Sequence, residues 1–157
     1  MKNSNEILIA SSNQGKVKEF KKLFQNHKIF SLSDFDIGDA KEDGSSFFEN
    51  ALIKAKHGSL YSEKFTIADD SGLVVPDLEF EPGIYSARYA GEGASDKENR
   101  DYLINKLSLI NKKELDAYYV CVLVGLRSSD DPMPIICLLY TSDAADEGLG
   151  VDLGGRR

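Results

Sequence analysis

The sequence of 157 residues predicts an α/β fold, in which a mixed twisted sheet is flanked by helices. Apolar runs of strand length at residues 6–10, 28–32, 65–68 and 73–76 are interspersed with amphipathic helical patterns. Two longer apolar runs, residues 118–126 and 133–139, follow and are separated by a turn-rich segment. Because no repeat or linker composition divides the chain, the sequence predicts a single domain with a substantial core.

Composition limits the classes of partner. The chain is 41% hydrophobic and 29% charged, which is typical of a globular protein, and its formal net charge is −7. A negative surface opposes general binding to nucleic acid or to an anionic membrane, but it permits a nucleotide that arrives with a divalent cation. The sequence contains no run of about 18 apolar residues, so it predicts no membrane span. The N-terminus shows no apolar stretch of a signal peptide, so we expect a cytoplasmic protein.

The two cysteines, Cys121 and Cys137, lie in apolar strand-like runs and lack the spacing of metal ligands. The sequence therefore predicts buried free thiols in a reducing compartment in preference to a disulfide.

The first strand is followed by a small polar loop, residues 11–16, and then by a helical pattern. This geometry directs free backbone N–H groups and the positive end of a helix dipole towards an anion. The loop is not a Walker A motif, because Ala10 stands where that motif has its first Gly and Val17 where it has Ser or Thr. Two interpretations remain: a phosphate-binding loop, or an N-capped helix with a solvated lysine.

The second helix is predicted to begin after Ser46, which forms a capping-box pattern with Glu49, and an acidic connection at residues 34–44 precedes it. One face carries the apolar or small residues Phe48, Ala51, Leu52, Ala55 and Ser59. The opposite face carries a polar stripe formed by Asn50, Lys54, His57 and Tyr61. The pattern favours a solvated stripe, and a capping role for Glu49.

Two adjacent carboxylates, Asp69 and Asp70, precede Ser71 and Gly72 between what look like two short apolar strands. Neighbouring side chains on a strand point to opposite faces, so both carboxylates share a partner only if the strand ends or bulges there. Gly72 permits such a break. The four residues alone fit either a polar turn or a metal or catalytic site.

The rest of the chain has clear punctuation. Residues 82–91 predict an ordered loop or a short helical turn, and Ser95 with Glu98 forms a second capping-box pattern. The helix behind it presents a core stripe at Leu103, Leu107 and Ile110.

Three stretches together resemble the non-canonical purine nucleoside triphosphate pyrophosphatases, the inosine/xanthosine triphosphate pyrophosphatase family. They are residues 10–16, residues 42–51 with Lys54, and residues 68–73 with 82–91. The resemblance implies Mg²⁺-dependent hydrolysis of dITP, ITP and XTP to a nucleoside monophosphate and pyrophosphate. It also implies a homodimer in the full-length form.

The resemblance implies specific site residues. Asp70 matches the base and a metal ligand, and Glu42 matches the other acidic residue on the metal side. The substrate and phosphate contacts that it implies are Ser11, Ser12, Asn13, Gln14, Gly15, Lys16, Lys54 and Ser71. The chemistry of triphosphate hydrolysis independently requires residues of these types. A carboxylate approaches the negative triphosphate only with a cation between them. The cation also lowers the pKa of bound water. Arg88 fits either a further phosphate contact or a salt bridge within its own loop.

The resemblance covers roughly residues 6–137. The family's later Gly-Phe-Gly-Tyr-Asp segment, a further Lys and a His-Arg pair, which hold and select the base, have no counterpart here. We therefore predict an incomplete pyrophosphatase domain at residues 1–140 and a disordered, non-family tail at residues 141–157. On this expectation the chain is poorly soluble and weakly active, and the alternative is a nucleotide-binding fragment without turnover. The broken Walker A pattern disfavours a kinase or ATPase.

Overall fold

A computed structural model describes residues 5–143 of the chain. Its strands are β1 (Glu6–Ile9), β2 (Lys28–Ser31), β3 (Phe65–Val74), β4 (Ala117–Leu126) and β5 (Ile135–Asp143). Its α-helices are α1 (Gln14–Leu23), α2 (Phe47–Ser62) and α3 (Asp96–Ser108), and short 3₁₀ helices span Leu32–Phe35, Pro76–Leu78 and Gly83–Arg88. The five strands form one sheet in the order β2-β1-β3-β4-β5, with β1 parallel to both β2 and β3. The α/β fold expected from the sequence is confirmed.

The chain forms two compact units. The first contains the described residues up to Asp70 together with Cys121–Leu138, and the second contains Ser71–Val120 and the described residues from Leu139 onward. Strand β5 continues to Asp143, within the segment that the sequence assigned to the tail. Residues 144–157, the remainder of that predicted tail, lie outside the described residues.

In the first unit, α1 packs against the odd-numbered residues of β1. Ile7, Ile9 and Val17 form a buried cluster, with Phe65 and Ile67 of β3 packed against it. Residues 7 and 9 pair with residues 65 and 67 in the register of the two strands, so all four side chains share one face of the sheet. Burial of this cluster fixes α1, and therefore the loop before it, over that face.

Helix α2 covers the other face of the same strands. A Cβ at Gly58 would lie 2.9 Å from Leu8 Cδ2, 3.0 Å from Ala10 Cβ and 3.2 Å from Thr66 Cγ2. The glycine thus lets the helix backbone lie directly on the even-numbered residues. Because successive strand residues point to opposite faces, α1 and α2 lie on opposite sides of β1 and β3.

Most local predictions agree with the structure. The Ser95–Glu98 capping box is present at the start of α3, and residues 83–88 form a short helical turn in the predicted loop. Ser46 caps α2, but the Glu49 carboxylate bonds the backbone and hydroxyl of Ser45 instead of returning to Ser46.

Three details differ from the predictions. Strand β3 is one continuous strand of ten residues, so the prediction of two short strands on either side of residues 69–72 is wrong, and the break that Gly72 permits is absent. The prediction of two buried thiols is wrong for Cys137, which is exposed, while Cys121 is half-buried and both are free. Of the stripe predicted for α3, Leu103 is buried and the other two residues are only half-buried. Within residues 5–143, no helix is long and apolar enough to cross a membrane.

Candidate active site

The adjacent carboxylates of β3 are both buried, and they contact different helices. Asp69 is 5% exposed and Asp70 is 7% exposed. Asp69 Oδ2 accepts a hydrogen bond from Lys16 Nζ of α1, and Asp70 Oδ2 accepts one from Asn50 Nδ2 of α2 at 3.2 Å. Side chains alternate along an unbroken strand, so each carboxylate faces the helix that covers its own side of the sheet. The two groups therefore have different surroundings.

The loop of residues 11–16 connects β1 to α1 and is ordered by its own side chains. Ser11 Oγ accepts a hydrogen bond from the Asn13 N–H at 3.2 Å. Asn13 Oδ1 in turn accepts from the N–H groups of Gly15 at 2.9 Å and Lys16 at 3.2 Å, which makes Asn13 the N-cap of α1. The loop is open to solvent at Ser12, Asn13, Gln14 and Gly15.

These contacts bear on the two interpretations of this loop, a phosphate-binding loop or an N-capped helix with a solvated lysine. The helix is N-capped, as the simpler interpretation expected, but its lysine is not merely solvated. The Lys16 side chain is only 33% exposed and forms a salt bridge with the buried carboxylate of Asp69. Lys16 thus holds a positive charge beside the end of the loop, where an anion would meet it.

The polar stripe of α2 binds the acidic connection, so the prediction of a solvated face is wrong for three of its four residues. Three contacts of 2.9 Å join the two segments: Gly44 N–H to Asn50 Oδ1, Lys54 Nζ to Glu42 Oε1, and His57 Nε2 to the Gly38 carbonyl oxygen. Residues 50, 54 and 57 follow one another down the helix while their partners run in the opposite chain direction. The connection therefore lies along the stripe. Tyr61 alone is exposed, at 62%.

The pair formed by Glu42 and Lys54 is largely shielded from water. The side chains are 28% and 15% exposed, respectively, and the N–O distance is 2.9 Å. Such partial burial strengthens an ion pair relative to one at the surface. The pair brings together two residues for which the family resemblance implied a metal-side and a phosphate-side role.

The donor set fits a hard cation that brings ligands of its own. Residues 5–143 contain no group of three or more His, Cys, Asp or Glu side chains arranged to hold a metal ion. Mg²⁺ at nucleotide sites is usually held by one or two carboxylates and completes its coordination with phosphate oxygens and water. Glu42 and Asp70 carry carboxylates of the type that such a cation prefers, and their role as its ligands stays a prediction. Asp69 Oδ1 is also buried and accepts no hydrogen bond from the part of the chain that the structure describes.

The negative charge of these carboxylates acts on a neighbouring strand. Burial raises the pKa of the Cys121 thiol on β4, and the charges of Asp69 and Asp70 raise it further, while Lys16 opposes them. The carboxylates and this lysine thus share one electrostatic environment within the first unit. At neutral pH, Cys121 is a protonated thiol in that environment.

Ser71 follows Asp70 and belongs to the second unit. The Tyr119 hydroxyl donates to Ser71 Oγ at 3.4 Å. Two residues further on, the Leu73 N–H donates to Ser86 Oγ at 3.0 Å, and the Ser86 hydroxyl donates to the Gly83 carbonyl oxygen at 2.6 Å. Ser86 therefore fastens the loop of residues 82–91 to β3.

Arg88 makes contacts within that loop. Its Nε lies 3.7 Å from Glu92 Oε1, and its guanidinium lies 5.3 Å from the centre of the Tyr85 ring. The salt bridge is the second of the two roles that the sequence suggested for Arg88, and the role in phosphate binding stays a prediction.

Sequence reasoning missed Asn50 as a site residue. It is fully buried, yet the helical periodicity placed it on a polar stripe expected to face water. The signal that identifies it is its position one helical turn before Lys54, because both residues then face the segment that carries Glu42. Sequence reasoning also missed Gly44. In the structure a Cβ at this residue would lie only 2.7 Å from Asn50 Oδ1, so the close approach requires a glycine.

Comparison with known proteins places the chain in a family of α/β proteins whose members include dITP/XTP pyrophosphatases. The Ham1 family model matches residues 7–137. A dITP/XTP pyrophosphatase of Legionella pneumophila (strain Lens) is 45% identical over 153 residues, covering 94% of this chain and 79% of the relative. The chain belongs to the Ham1 family.

Solved structures agree with this assignment. A HAM1 protein from Coxiella burnetii superimposes with a TM-score of 0.82 at 34% identity, covering 87% of this chain and 71% of that one. The Ham1 protein of Staphylococcus aureus gives a TM-score of 0.78 at 40% identity, covering 94% and 78% of the two chains.

Proposed function

We propose that the chain is a Mg²⁺-dependent nucleoside triphosphate pyrophosphatase. It hydrolyses non-canonical purine nucleotides such as dITP, ITP and XTP to the monophosphate and pyrophosphate, and so removes them from the nucleotide pool. The observation that carries the proposal is the buried carboxylate of Asp70, held by Asn50, in the same compact unit as the Lys16 loop and the Glu42–Lys54 pair. The similarity to the dITP/XTP pyrophosphatase of Legionella pneumophila supports it.

Asp70 is the base in this proposal. It accepts the proton of a water molecule whose oxygen attacks phosphorus, the bridging P–O bond breaks, and pyrophosphate leaves with the bonding electrons. Mg²⁺ held by Glu42 and Asp70 would lower the pKa of the water and shield the carboxylates from the phosphates. The ordinary pKa of an aspartate is near 4, so Asp70 needs this activated water to act as a base at neutral pH.

The two lysines stabilise the charge that develops on the leaving group. Lys16 and Lys54 each pair with a carboxylate of the protein, Asp69 and Glu42 respectively. These pairs keep both ammonium groups ordered before substrate binds, so little reorganisation is needed when phosphate oxygens arrive. The exposed residues of the loop, Ser12, Asn13, Gln14 and Gly15, supply the neighbouring polar contacts.

Product analysis tests the function. The chain is incubated with dITP, XTP, ATP or dGTP and Mg²⁺, and released pyrophosphate and orthophosphate are measured separately. We expect pyrophosphate from dITP or XTP, its loss on addition of EDTA, and its loss in Asp70→Asn. Asp101→Asn is the matched control, because Asp101 is an exposed carboxylate on α3 paired with Lys97. Orthophosphate from ATP would contradict the proposal and indicate an ATPase, whereas binding without either product would indicate a nucleotide-binding fragment.

We also propose that the protein acts in the cytoplasm as a homodimer without nucleic-acid or membrane partners. The net charge of −7 supports the absence of those two partners. Light scattering during gel filtration tests the dimer, which should have twice the 17.3 kDa mass of one chain. A monomer mass at micromolar concentration would contradict it.

A further inference from the structure

We propose that Asn50 is a positioning residue for Asp70. Its side-chain amide couples the base to the acidic connection of residues 34–44, hereafter the loop, which carries Glu42. This inference rests on the proposed function. Asn50 is 0% exposed. Its Oδ1 accepts a hydrogen bond from the Gly44 N–H at 2.9 Å, and its Nδ2 donates to Asp70 Oδ2 at 3.2 Å. One buried side chain thus joins two segments that both carry proposed metal ligands.

The chemistry of the two partners fixes the orientation of this amide. The Gly44 N–H can only donate a hydrogen bond, and the ionised Asp70 carboxylate can only accept one. An asparagine that spans them satisfies both with Oδ1 towards Gly44 and Nδ2 towards Asp70. Turning the amide by 180° would place donor against donor and acceptor against acceptor in a buried position. The backbone N–H of Gly44 therefore determines that the Nδ2 end of the amide faces Asp70.

The position of Asn50 is itself held from two sides. Its own N–H donates to the Ser46 carbonyl oxygen at 3.0 Å, in the first turn of α2. The preceding residue, Glu49, accepts hydrogen bonds from the Ser45 N–H at 2.6 Å and the Ser45 hydroxyl at 2.7 Å. Two consecutive helix residues therefore tie the end of the loop to the start of α2.

The close approach at Gly44 completes the arrangement. A Cβ at this residue would lie 2.7 Å from both Asn50 Oδ1 and Glu49 Cβ, and 3.0 Å from the Asn50 backbone nitrogen. Only a glycine lets the backbone come near enough for its N–H to reach the amide. The loop is thus shaped to present one donor to Asn50.

The consequence for the reaction is alignment of the base. A carboxylate whose one oxygen is held by a rigid donor keeps its plane fixed relative to the strand, so its orientation towards the water that it deprotonates is set before substrate binds. Loss of the donor should reduce kcat by about 10- to 100-fold, since small misplacements of a catalytic group have effects of this size. KM should change by less than about threefold, because Asn50 is fully buried and its side-chain amide bonds Gly44 and Asp70 of the protein.

Asn50→Asp is the decisive variant. It keeps the size of the side chain and an acceptor for the Gly44 N–H, but it replaces the donor to Asp70 with an oxygen. Asn105→Asp, on the exposed surface of α3, introduces the same chemical change away from the site. Both are assayed with dITP well below their melting temperatures, so that kcat refers to folded protein. We expect a selective fall in kcat for Asn50→Asp and wild-type values for the control.

A swapped pair gives a measurement that does not require turnover. In Asn50→Asp combined with Asp70→Asn, donor and acceptor exchange places, so the hydrogen bond can form again. We expect the double variant to melt at a higher temperature than the sum of the two single effects predicts, while its turnover stays lost. Additive effects on melting would overturn the contact, and a wild-type kcat in Asn50→Asp would overturn the positioning role. Absence of pyrophosphate release by the wild type would instead refute the proposed function, and the melting comparison still decides the contact.

Discussion

Adding one methyl group at Gly44 should detach the acidic connection from α2. In Gly44→Ala the new Cβ would lie 2.7 Å from Asn50 Oδ1 and from Glu49 Cβ, whereas ordinary contact begins at 3.4 Å. Relief of this overlap requires a shift of roughly 0.7 Å, which would lengthen the 2.9 Å bond from the Gly44 N–H to about 3.6 Å, beyond hydrogen-bonding distance. The substitution therefore breaks one end of the buried amide bridge.

The size of the effect follows from the burial of Asn50. An unsatisfied buried polar group costs about 1–3 kcal/mol, and in a domain of this size 1 kcal/mol lowers the melting temperature by about 2–4 °C. We therefore expect Gly44→Ala to lower the melting temperature by roughly 4–8 °C, from a loss of about 2 kcal/mol in the free energy of unfolding.

Gly38→Ala is the matched control for this prediction. Gly38 lies in the same connection, nothing lies within 4 Å of the Cβ that it would gain, and its φ lies outside the left-handed region. Its melting temperature should stay at the wild-type value or rise slightly, because alanine restricts the unfolded chain. Both variants are melted at pH 7 under circular dichroism. If Gly44→Ala melts within about 1 °C of Gly38→Ala, the connection is not held against α2 as the contacts indicate.

Three further outcomes are expected. Asp69→Asn removes the charged partner of Lys16 and should lower the free energy of unfolding by about 1–2 kcal/mol in urea titrations. This value is smaller than that of a fully buried pair, because the Lys16 side chain is 33% exposed. An unchanged urea midpoint would contradict this. Ser95→Ala removes the N-cap of α3 and should cost about 1 kcal/mol by the same measurement; no loss would mean that water replaces the cap. Hydrogen bonding by Lys106 lowers the pKa of Glu81 from 4.5, so its contribution to stability is present above 4.5 and is lost as the pH falls through the lower folded value. Wild type should therefore be more stable than Glu81→Gln at pH 7 and approach it in acid, and a constant difference across the whole range would contradict the ion pair.

The sequence predicted the regular elements well because their signals are local. A short apolar run predicted β1, and capping patterns located the starts of α2 and α3. Strand β5 shows the limit of such signals. Its apolar run suggested burial, but it is the last strand in the sheet order, and Ile135 and Leu138 are 50% and 56% exposed. Position in the sheet, which depends on distant segments, decided the exposure.

The candidate site was harder to predict because its contacts join segments that are distant in sequence. Periodicity shows that one side of α2 is polar, but it does not show what that side touches. The connection of residues 34–44 has no periodicity, and its path is set by bonds to the helix, such as that between Lys54 and Glu42. Asn50 was misjudged for this reason. The alternation rule for adjacent strand residues, in contrast, predicted correctly that the two carboxylates would not share a partner on an unbroken strand.

That alternation has a testable energetic consequence. Asp69 is bound by α1 on one face of β3, and Asp70 by α2 on the other. Substitutions that share no partner usually add within about 0.5 kcal/mol, whereas those in one hydrogen bond do not. In urea titrations, Asp69→Asn combined with Asn50→Ala should therefore be additive, although residues 69 and 70 are covalent neighbours, and Asp70→Asn combined with Asn50→Ala should not. Equal coupling in the two pairs would mean that the sheet does not separate the carboxylates, and that the loop of residues 11–16 and the connection of residues 34–44 respond to each other through the strand.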